Sequence, residues 1–411
     1  MVSVAVMGYG TVGSGVVEVL ERRPASLAAR AGEDIAVRYI LDVRDFPNDP
    51  HADKFIKDFD ILLNDPEVRI VIETMGGLRP AYEFVKRCLL AGKSVVTSNK
   101  ELVAAKGDEL IAIARQNNLN FLFEASVGGG IPILRPIDQC LAANEVFEVA
   151  GILNGTTNFM LTNMVEKGMG FDEALAQAQQ LGYAERDPAA DIDGHDACRK
   201  ICILAAVAFG RHVYPEQVHT EGIRPITADD VQCAAAYGGV IKLIGRAVKQ
   251  PDGRLHITVA PMVLPKSSLL ADVNDVFNGI MVRGDAIGDV VFYGRGAGKL
   301  PTASAVVADV IDEVKHLSAR KYLFWEPGCP DYVRDYDEQA QSFLVRCVTD
   351  RPDDLKRQLA AAFGEVDYVD AGFGEKTVVF ATPAIPERDA IRKLEALTGA
   401  TVQSRVRIAA L

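Results

Sequence analysis

Asp196 and Lys200 stand four residues apart at the mouth of a strongly apolar run, Ile201 to Phe209. On a helix they share one face, a turn apart. The segment ahead of that run, Gly182 to Lys200, carries the acids Glu185, Asp187, Asp191, Asp193 and Asp196. A ring of carboxylates with one lysine at a buried helix mouth is costly to desolvate and adds little to solubility. It suits a pocket for a small zwitterion. The alternative is a solvated acidic loop capping a core helix. His195 lies in the same loop and is read as incidental. A second lysine, Lys100, follows the apolar run Ser94 to Ser98. It is either a solvated loop residue or a catalytic group beside a ligand at a strand's end.

These side chains need elements to place them. Val2 to Met7 is an apolar strand followed at once by Gly8-Tyr9-Gly10-Thr11-Val12-Gly13 and a helical pattern through Arg22. In this strand–GxGxxG–helix order, Gly8 makes the turn, Gly10 admits a pyrophosphate to the backbone, and Gly13 lets helix and strand pack closely. A second strand, Ile35 to Val43, ends with Asp42 and Arg44. An acid there meets a ribose 2′-hydroxyl and an arginine meets a 2′-phosphate, so NAD and NADP both remain open. Strands at Val68–Met75, Ser94–Ser98 and Asn120–Ala125 alternate with helices at Pro80–Leu90 and Glu101–Asn117. The expected fold is α/β, a Rossmann-type doubly wound parallel sheet with ligands at the strands' C-terminal ends.

Beyond it, Gly128-Gly129-Gly130 follows Glu124 and leads through Pro132 into an expected helix. Such a run either turns carbonyls toward a hard cation or serves as a hinge. Ile152-Leu153-Asn154-Gly155-Thr156-Thr157-Asn158 opens a helix running to about Lys167, where Gly, Thr and Asn cap it or bind a carboxylate. Strands at Val240–Val248, Leu255–Val263, Asp275–Val282 and Asp289–Phe292 fit an open mixed sheet of the kind that serves as a dimer interface. The loop Gly294 to Thr302 fails the phosphate-loop pattern, since Leu300 replaces Ser or Thr. Its helix, Pro301 to Lys315, is expected to pack back on the first domain.

With 411 residues the chain suffices for two or three domains. A formal charge of −12 argues against nucleic acid and against an anionic membrane surface. The apolar runs fall short of a membrane span, and the strand at Val2 leaves no secretory leader. The seven cysteines form no C-x-x-C pair and read as buried reduced thiols of a cytoplasmic protein.

The blocks GYGTVG, MGG (75–77), VVTSNK, EASVGGGIP, GILNGTTN, LGYAERDPAADIDGHDACRK and GRGAGKLPTASAVVAD together resemble the homoserine dehydrogenase family over roughly residues 1 to 325. The resemblance implies NAD- or NADP-dependent interconversion of L-homoserine and L-aspartate 4-semialdehyde, on the route to threonine, methionine and isoleucine. It implies Lys200 and Lys100 at the reacting oxygen, with Asp196 holding Lys200. Glu185, Asp191, Gly155 and Thr156 would line the amino-acid site. The cofactor would meet Gly8, Gly10, Thr11, Val12, Gly13, Asp42, Arg44, Gly76, Ser98, Lys100 and Gly298. The glycine-rich block implies a sodium ion at Glu124, Val127, Gly129 and Ile131, mostly through backbone oxygens. A homodimer or homotetramer is implied as well. Aspartate-semialdehyde dehydrogenase, a rival, needs a cysteine nucleophile beside the cofactor, and none of the seven lies in such a turn.

The implied domains are 1–130 (with about 300–318) for the dinucleotide and 131–299, an α+β catalytic and dimerisation domain. A linker, 319–340, leads to 341–411, which resembles a small ACT-like βαββαβ domain. Asp353 stands there in place of the glycine of that module's D-x-P-G turn.

Overall fold

A computed structural model describes residues 1–319, 323–409 and 411. They divide into two compact units, one of Met1–Val146, Cys202–Pro215 and Gly294–Cys329, the other of Phe147–Ile201, Glu216–Tyr293 and Pro330–Leu411.

The first unit opens with β1 (Val2–Met7), α1 (Thr11–Arg22), α2 (Pro24–Ala31), β2 (Ile35–Leu41), β3 (Phe55–Ile56) and α3 (Phe59–Asn64). It continues with β4 (Val68–Glu73), α4 (Ala81–Leu90), β5 (Ser94–Thr97), α5 (Lys100–Gln116) and β6 (Phe121–Leu122). Among the described residues its sheet runs β3-β2-β1-β4-β5-β6, all parallel. The expected doubly wound sheet is therefore present, and the order reverses between β1 and β4, where such sheets take their ligands. All six residues of β1 are buried, as a strand covered on both faces requires. The strand expected at Asn120–Ala125 is cut to two residues. The Glu124 N–H donates to Asp309 Oδ2 at 2.8 Å instead of extending a ladder, and Glu124–Ser126 turns into a 3-10 helix. The helix expected after Pro132 is only a π-helical turn, Pro136–Cys140.

The second unit holds β7 (Val146–Ile152), α6 (Gly155–Lys167), α7 (Phe171–Gln180), α8 (Ala189–Ile192) and α9 (His195–Phe209), whose residues from Cys202 belong to the first unit. Next come β8 (His219–Thr220), α10 (Ala228–Tyr237), β9 (Gly239–Lys249), β10 (Leu255–Pro265), β11 (Phe277–Gly284) and β12 (Gly288–Arg295). Then α11 (Lys299–His316) returns to the first unit and lies on α1. A Cβ on Gly15 would come within 3.0 Å of Lys299, so only glycine lets these two helices approach so closely. Val306, Val307 and Val310 bury against Val16, Val17 and the sheet, each such side chain contributing roughly 1.5–3 kcal/mol.

The chain ends with β13 (Ala340–Thr349), α12 (Pro352–Phe363), β14 (Asp367–Val369), β15 (Thr377–Ala381), β16 (Ile385–Pro386), α13 (Glu387–Glu395) and β17 (Ala400–Ile408). The expected elements are present, with a two-residue strand, β16, added before α13, but the segment is not a separate body. Among the described residues one sheet runs β12-β11-β7-β9-β10-β17-β13-β15-β14. β17 pairs in parallel with β10 at Met262↔Arg407 and Val263↔Ile408. Ala409 and Leu411 then pack with Ile244, Met262, Leu264 and Met281. The expected linker includes residues 320–322, which lie outside the described residues. Its later part lies along β10, where the Leu255 N–H donates to the Tyr332 carbonyl at 2.9 Å.

Candidate active site

In the second unit the start of α6 meets α8 and the start of α9. Asn154 caps α6 in the ordinary way, its Oδ1 accepting from the Thr157 N–H at 2.8 Å. Its amide nitrogen faces the other way and donates to Asp191 Oδ1 at 2.7 Å and Asp196 Oδ2 at 2.8 Å. Lys200 Nζ donates to that same Asp196 oxygen at 2.8 Å and to the Leu153 carbonyl at 2.7 Å. Asp196 and Lys200 are both buried. A lysine held between a carboxylate and a carbonyl has its Nζ fixed in place, which an electrophilic or acid–base lysine requires.

The structure thus brings Asp191, Asp196 and Lys200 together. It adds Asn154 and the Leu153 carbonyl, which sequence reasoning missed. Asn154 was legible as a helix cap, but one side chain serving as cap and carboxylate bridge leaves no separate signal. Gly155 sits where a Cβ would fall 2.7 Å from the Val276 carbonyl, so it permits close approach of the β11 lead-in. Thr156 Oγ1 donates to the Tyr183 carbonyl at 2.7 Å and ties α6 to the loop after α7. Glu185 in that loop is exposed; its carbonyl accepts from Gln179 at 3.1 Å.

The first unit carries the dinucleotide motif. Gly8 has φ +93, and a Cβ on Gly13 would lie 1.9 Å from the Gly8 carbonyl, which forbids any side chain there. A Cβ on Gly10 meets no atom within 4 Å, so this backbone is open to a phosphate. Thr11 and Val12 form the first turn of α1. At the end of β2, Asp42 Oδ2 accepts from the Tyr9 N–H at 2.7 Å, and its two oxygens accept from Arg44 Nε and Nη2 at 3.0 and 2.9 Å. The Arg44 guanidinium holds the Asp42 carboxyl down at about 2.

Glu73, at the end of β4, ties two loops together. Its Oε1 accepts from the Met75 and Gly76 N–H groups at 2.7 and 3.3 Å, and its Oε2 accepts from Thr97 Oγ1 at 2.5 Å. Burial pushes this carboxyl upward. Gly76 and Gly77 take φ +75 and +68. Asn99, directly after Ser98, caps α5, so Lys100 is its first residue. Gly298, with φ +126, precedes α11. The glycine turn, the acid and the open helix start fit a nicotinamide dinucleotide.

The sodium site is less well provided. The Glu124 carboxylate accepts from the Ile133, Leu134 and Arg135 N–H groups at 2.5, 2.8 and 2.9 Å, so it is committed to backbone. Only main-chain oxygens of Glu124, Val127, Gly129 and Ile131 remain as donors. Among the described residues no group of three or more His, Cys, Asp or Glu side chains is placed to hold a metal.

The sequence relationships agree with this geometry. Residues 8–124 match the family model for the homoserine dehydrogenase NAD-binding domain, and residues 132–311 match that for homoserine dehydrogenase. A homoserine dehydrogenase of Synechocystis is 44% identical over 319 residues, 76% of this chain and 73% of that protein. One of Neisseria gonorrhoeae is 36% identical over 99% of this chain and 94% of its own length. The crystal structure of a Thiobacillus denitrificans homoserine dehydrogenase superposes with a TM-score of 0.89, at 36% identity, over 99% of this chain and 98% of that one. A hyperthermophilic archaeal homoserine dehydrogenase in complex with NADPH gives a TM-score of 0.66 at 28% identity, covering 78% of this chain and 99% of its own. With both halves of its catalytic region matched and relatives aligned nearly end to end, the chain belongs to the homoserine dehydrogenase family, NAD(P)-dependent oxidoreductases that interconvert L-homoserine and L-aspartate 4-semialdehyde.

Proposed function

We propose that the Asn154–Asp191–Asp196–Lys200 constellation is the amino-acid site, with Lys200 acting on the reacting oxygen. The observation that carries this is the buried Lys200 ammonium, fixed between Asp196 and the Leu153 carbonyl. In the oxidative direction the homoserine hydroxyl passes its proton to Lys200 in the neutral amine form as the carbon–hydrogen bond breaks. The bound nicotinamide supplies the hydride chemistry. In the reductive direction Lys200 stabilises the alkoxide and returns the proton, a contribution of order 10²–10⁴-fold. Asp196 orients the ammonium. Asp191, with Glu185 and the Gly155–Thr156 turn, completes the amino-acid pocket, and Lys100 is the second lysine of the reacting oxygen.

Gly8, Gly10, Thr11, Val12 and Gly13 hold the pyrophosphate, and Asp42 takes the adenosine ribose. Gly76, Ser98 and Gly298 line the nicotinamide side. Arg44 is spent on Asp42, which supports NAD ahead of NADP. Sodium, if bound, meets backbone oxygens, and no step depends on it. A homodimer or homotetramer belongs to the same proposal, supported by the half-exposed edge strand β12, where Tyr293 stands exposed. Residues 341–411 are read as ACT-like from their βαββαβ order. A cytoplasmic setting is supported by the seven free cysteines. The test is turnover of homoserine with NAD and NADP in wild type and Lys200→Ala. Loss of turnover with retained cofactor affinity is expected; near-normal turnover would reject the site.

A further inference from the structure

The substrate acids do not stand alone on their own segment. Between Asp191 and Asp196 the chain turns at Gly194 (φ +83), and a second segment, His219 to Arg224, is laid against it. The Ile223 N–H donates to the Ile192 carbonyl at 2.8 Å. Arg224 grips Asp193 through Nε and Nη2 at 2.5 and 3.0 Å. A Cβ on Gly222 would lie 2.1 Å from the Ile192 carbonyl, so the two backbones touch without room for a side chain. The position of residues 219–224 therefore sets the position of residues 191–194.

Something distant holds that bracing segment. Glu221 accepts from Arg407 Nη1 and Nη2, both at 2.7 Å. His219 Nε2 also meets Glu221 at 2.6 Å while its ring stacks on Tyr336 with centroids 3.5 Å apart. Arg407 lies in β17, and its remaining donors go to Glu387, at the start of α13, at 2.9 and 2.5 Å. The Arg407 and Glu387 side chains are only 6% and 4% exposed. A bidentate arginine between two carboxylates has a fixed orientation, and this one joins the last strand of the chain to the brace of the substrate acids. Glu221 is also seated on β10, its N–H donating to the Val259 carbonyl at 2.7 Å, so the brace is held on one side by β10 and on the other by Arg407.

We propose that Arg407 and Glu221 are positioning residues of the amino-acid site, through which the C-terminal segment sets the placement of Asp191 and Asp196. The inference rests on reading those acids as the substrate site. Glu221→Gln removes the charge but leaves a side-chain oxygen for Arg407, which keeps Glu387, so the fold should survive. The KM for homoserine should rise ~10-fold, the scale seen when a group that orients a ligating side chain is lost. The kcat should stay within ~2-fold and NAD(P) affinity should not change. Arg407→Lys, which keeps the charge and loses the fork, should shift KM in the same direction. If one variant fails to fold, the other carries the test. Asp196→Asn serves as the reference. If it impairs turnover while folded Glu221→Gln and Arg407→Lys keep the wild-type KM, the proposal is overturned and the site stands. If Asp196→Asn is itself silent, the site and the proposal fall together.

Discussion

At the scale of single residues, two charges decide most of the chemistry. Lys200 is buried with its ammonium fixed, so on the proposed reading replacing it removes the oxyanion partner and takes one cation away from Asp196. Lys200→Met should lower kcat by ~10²-fold or more, with the dissociation constant for NADH unchanged by fluorescence titration. A variant that binds cofactor poorly would move Lys200 to another role. On the proposed reading Asp42 sets the choice between the two cofactors. Its carboxylate, held at about 2 by Arg44, is ionised at every working pH and repels a 2′-phosphate. Asp42→Asn should improve NADPH affinity relative to NADH ~10-fold, the change expected from ~1.4 kcal/mol of removed repulsion. Equal loss of both cofactors would place Asp42 in the fold of the turn instead.

At the scale of elements, the start of α6 and the strand β9 meet in one network. Asn154→Ala removes a helix cap worth ~1 kcal/mol and the bridge between two acids. It should therefore lower Tm modestly and raise the KM for homoserine, read by steady-state kinetics beside a melting curve. Deeper in the same helix, Asn158 donates to the carbonyls of Val273, Asp275 and Phe277 at 3.0 to 3.1 Å. Lys242 of β9 donates to Asn158 Oδ1, the Val273 carbonyl and Asn274 Oδ1 at 3.2, 2.7 and 2.9 Å. None of these acceptors is charged, and burial brings the Lys242 ammonium down to about 8. The unfolded chain, with an ordinary lysine near 10.4, binds the extra proton between those two values. Wild type should therefore gain stability relative to Lys242→Met as pH rises from about 8 to about 10, by up to ~3 kcal/mol. Denaturant unfolding of both proteins across that window measures it, and a flat difference would mean that the lysine keeps its proton.

At the scale of the whole molecule, the C-terminal segment completes a sheet. In this chain β10 is built to be covered. Its Met262 and Val263 pair with β17, and Ala409 and Leu411 fill the cluster beneath. Deleting residues 339–411 would open a long apolar edge of the kind that aggregates. The shortened protein should be insoluble or melt far below the full chain; a monodisperse, stable and active product would show β17 to be dispensable.

Much of this was written in local sequence. Gly8, Gly10 and Gly13 declare the dinucleotide turn because their spacing is dictated by backbone geometry within six residues. Asp196 and Lys200 declare a shared helix face because four residues make about one turn. The βαββαβ order near the C-terminus is read together with the resemblance to an ACT-like module, and the structure adds the two-residue strand β16 to it. What local sequence cannot carry is the meeting of segments far apart in the chain. Asn154 reaches Asp191 and Asp196, and Arg407 reaches Glu221 across 186 residues. Glu124, implied by the family resemblance as one of four residues around a sodium ion, spends its carboxylate on the amides of 133–135. A carboxylate goes to whichever donors the fold brings within reach, and only tertiary structure decides which those are.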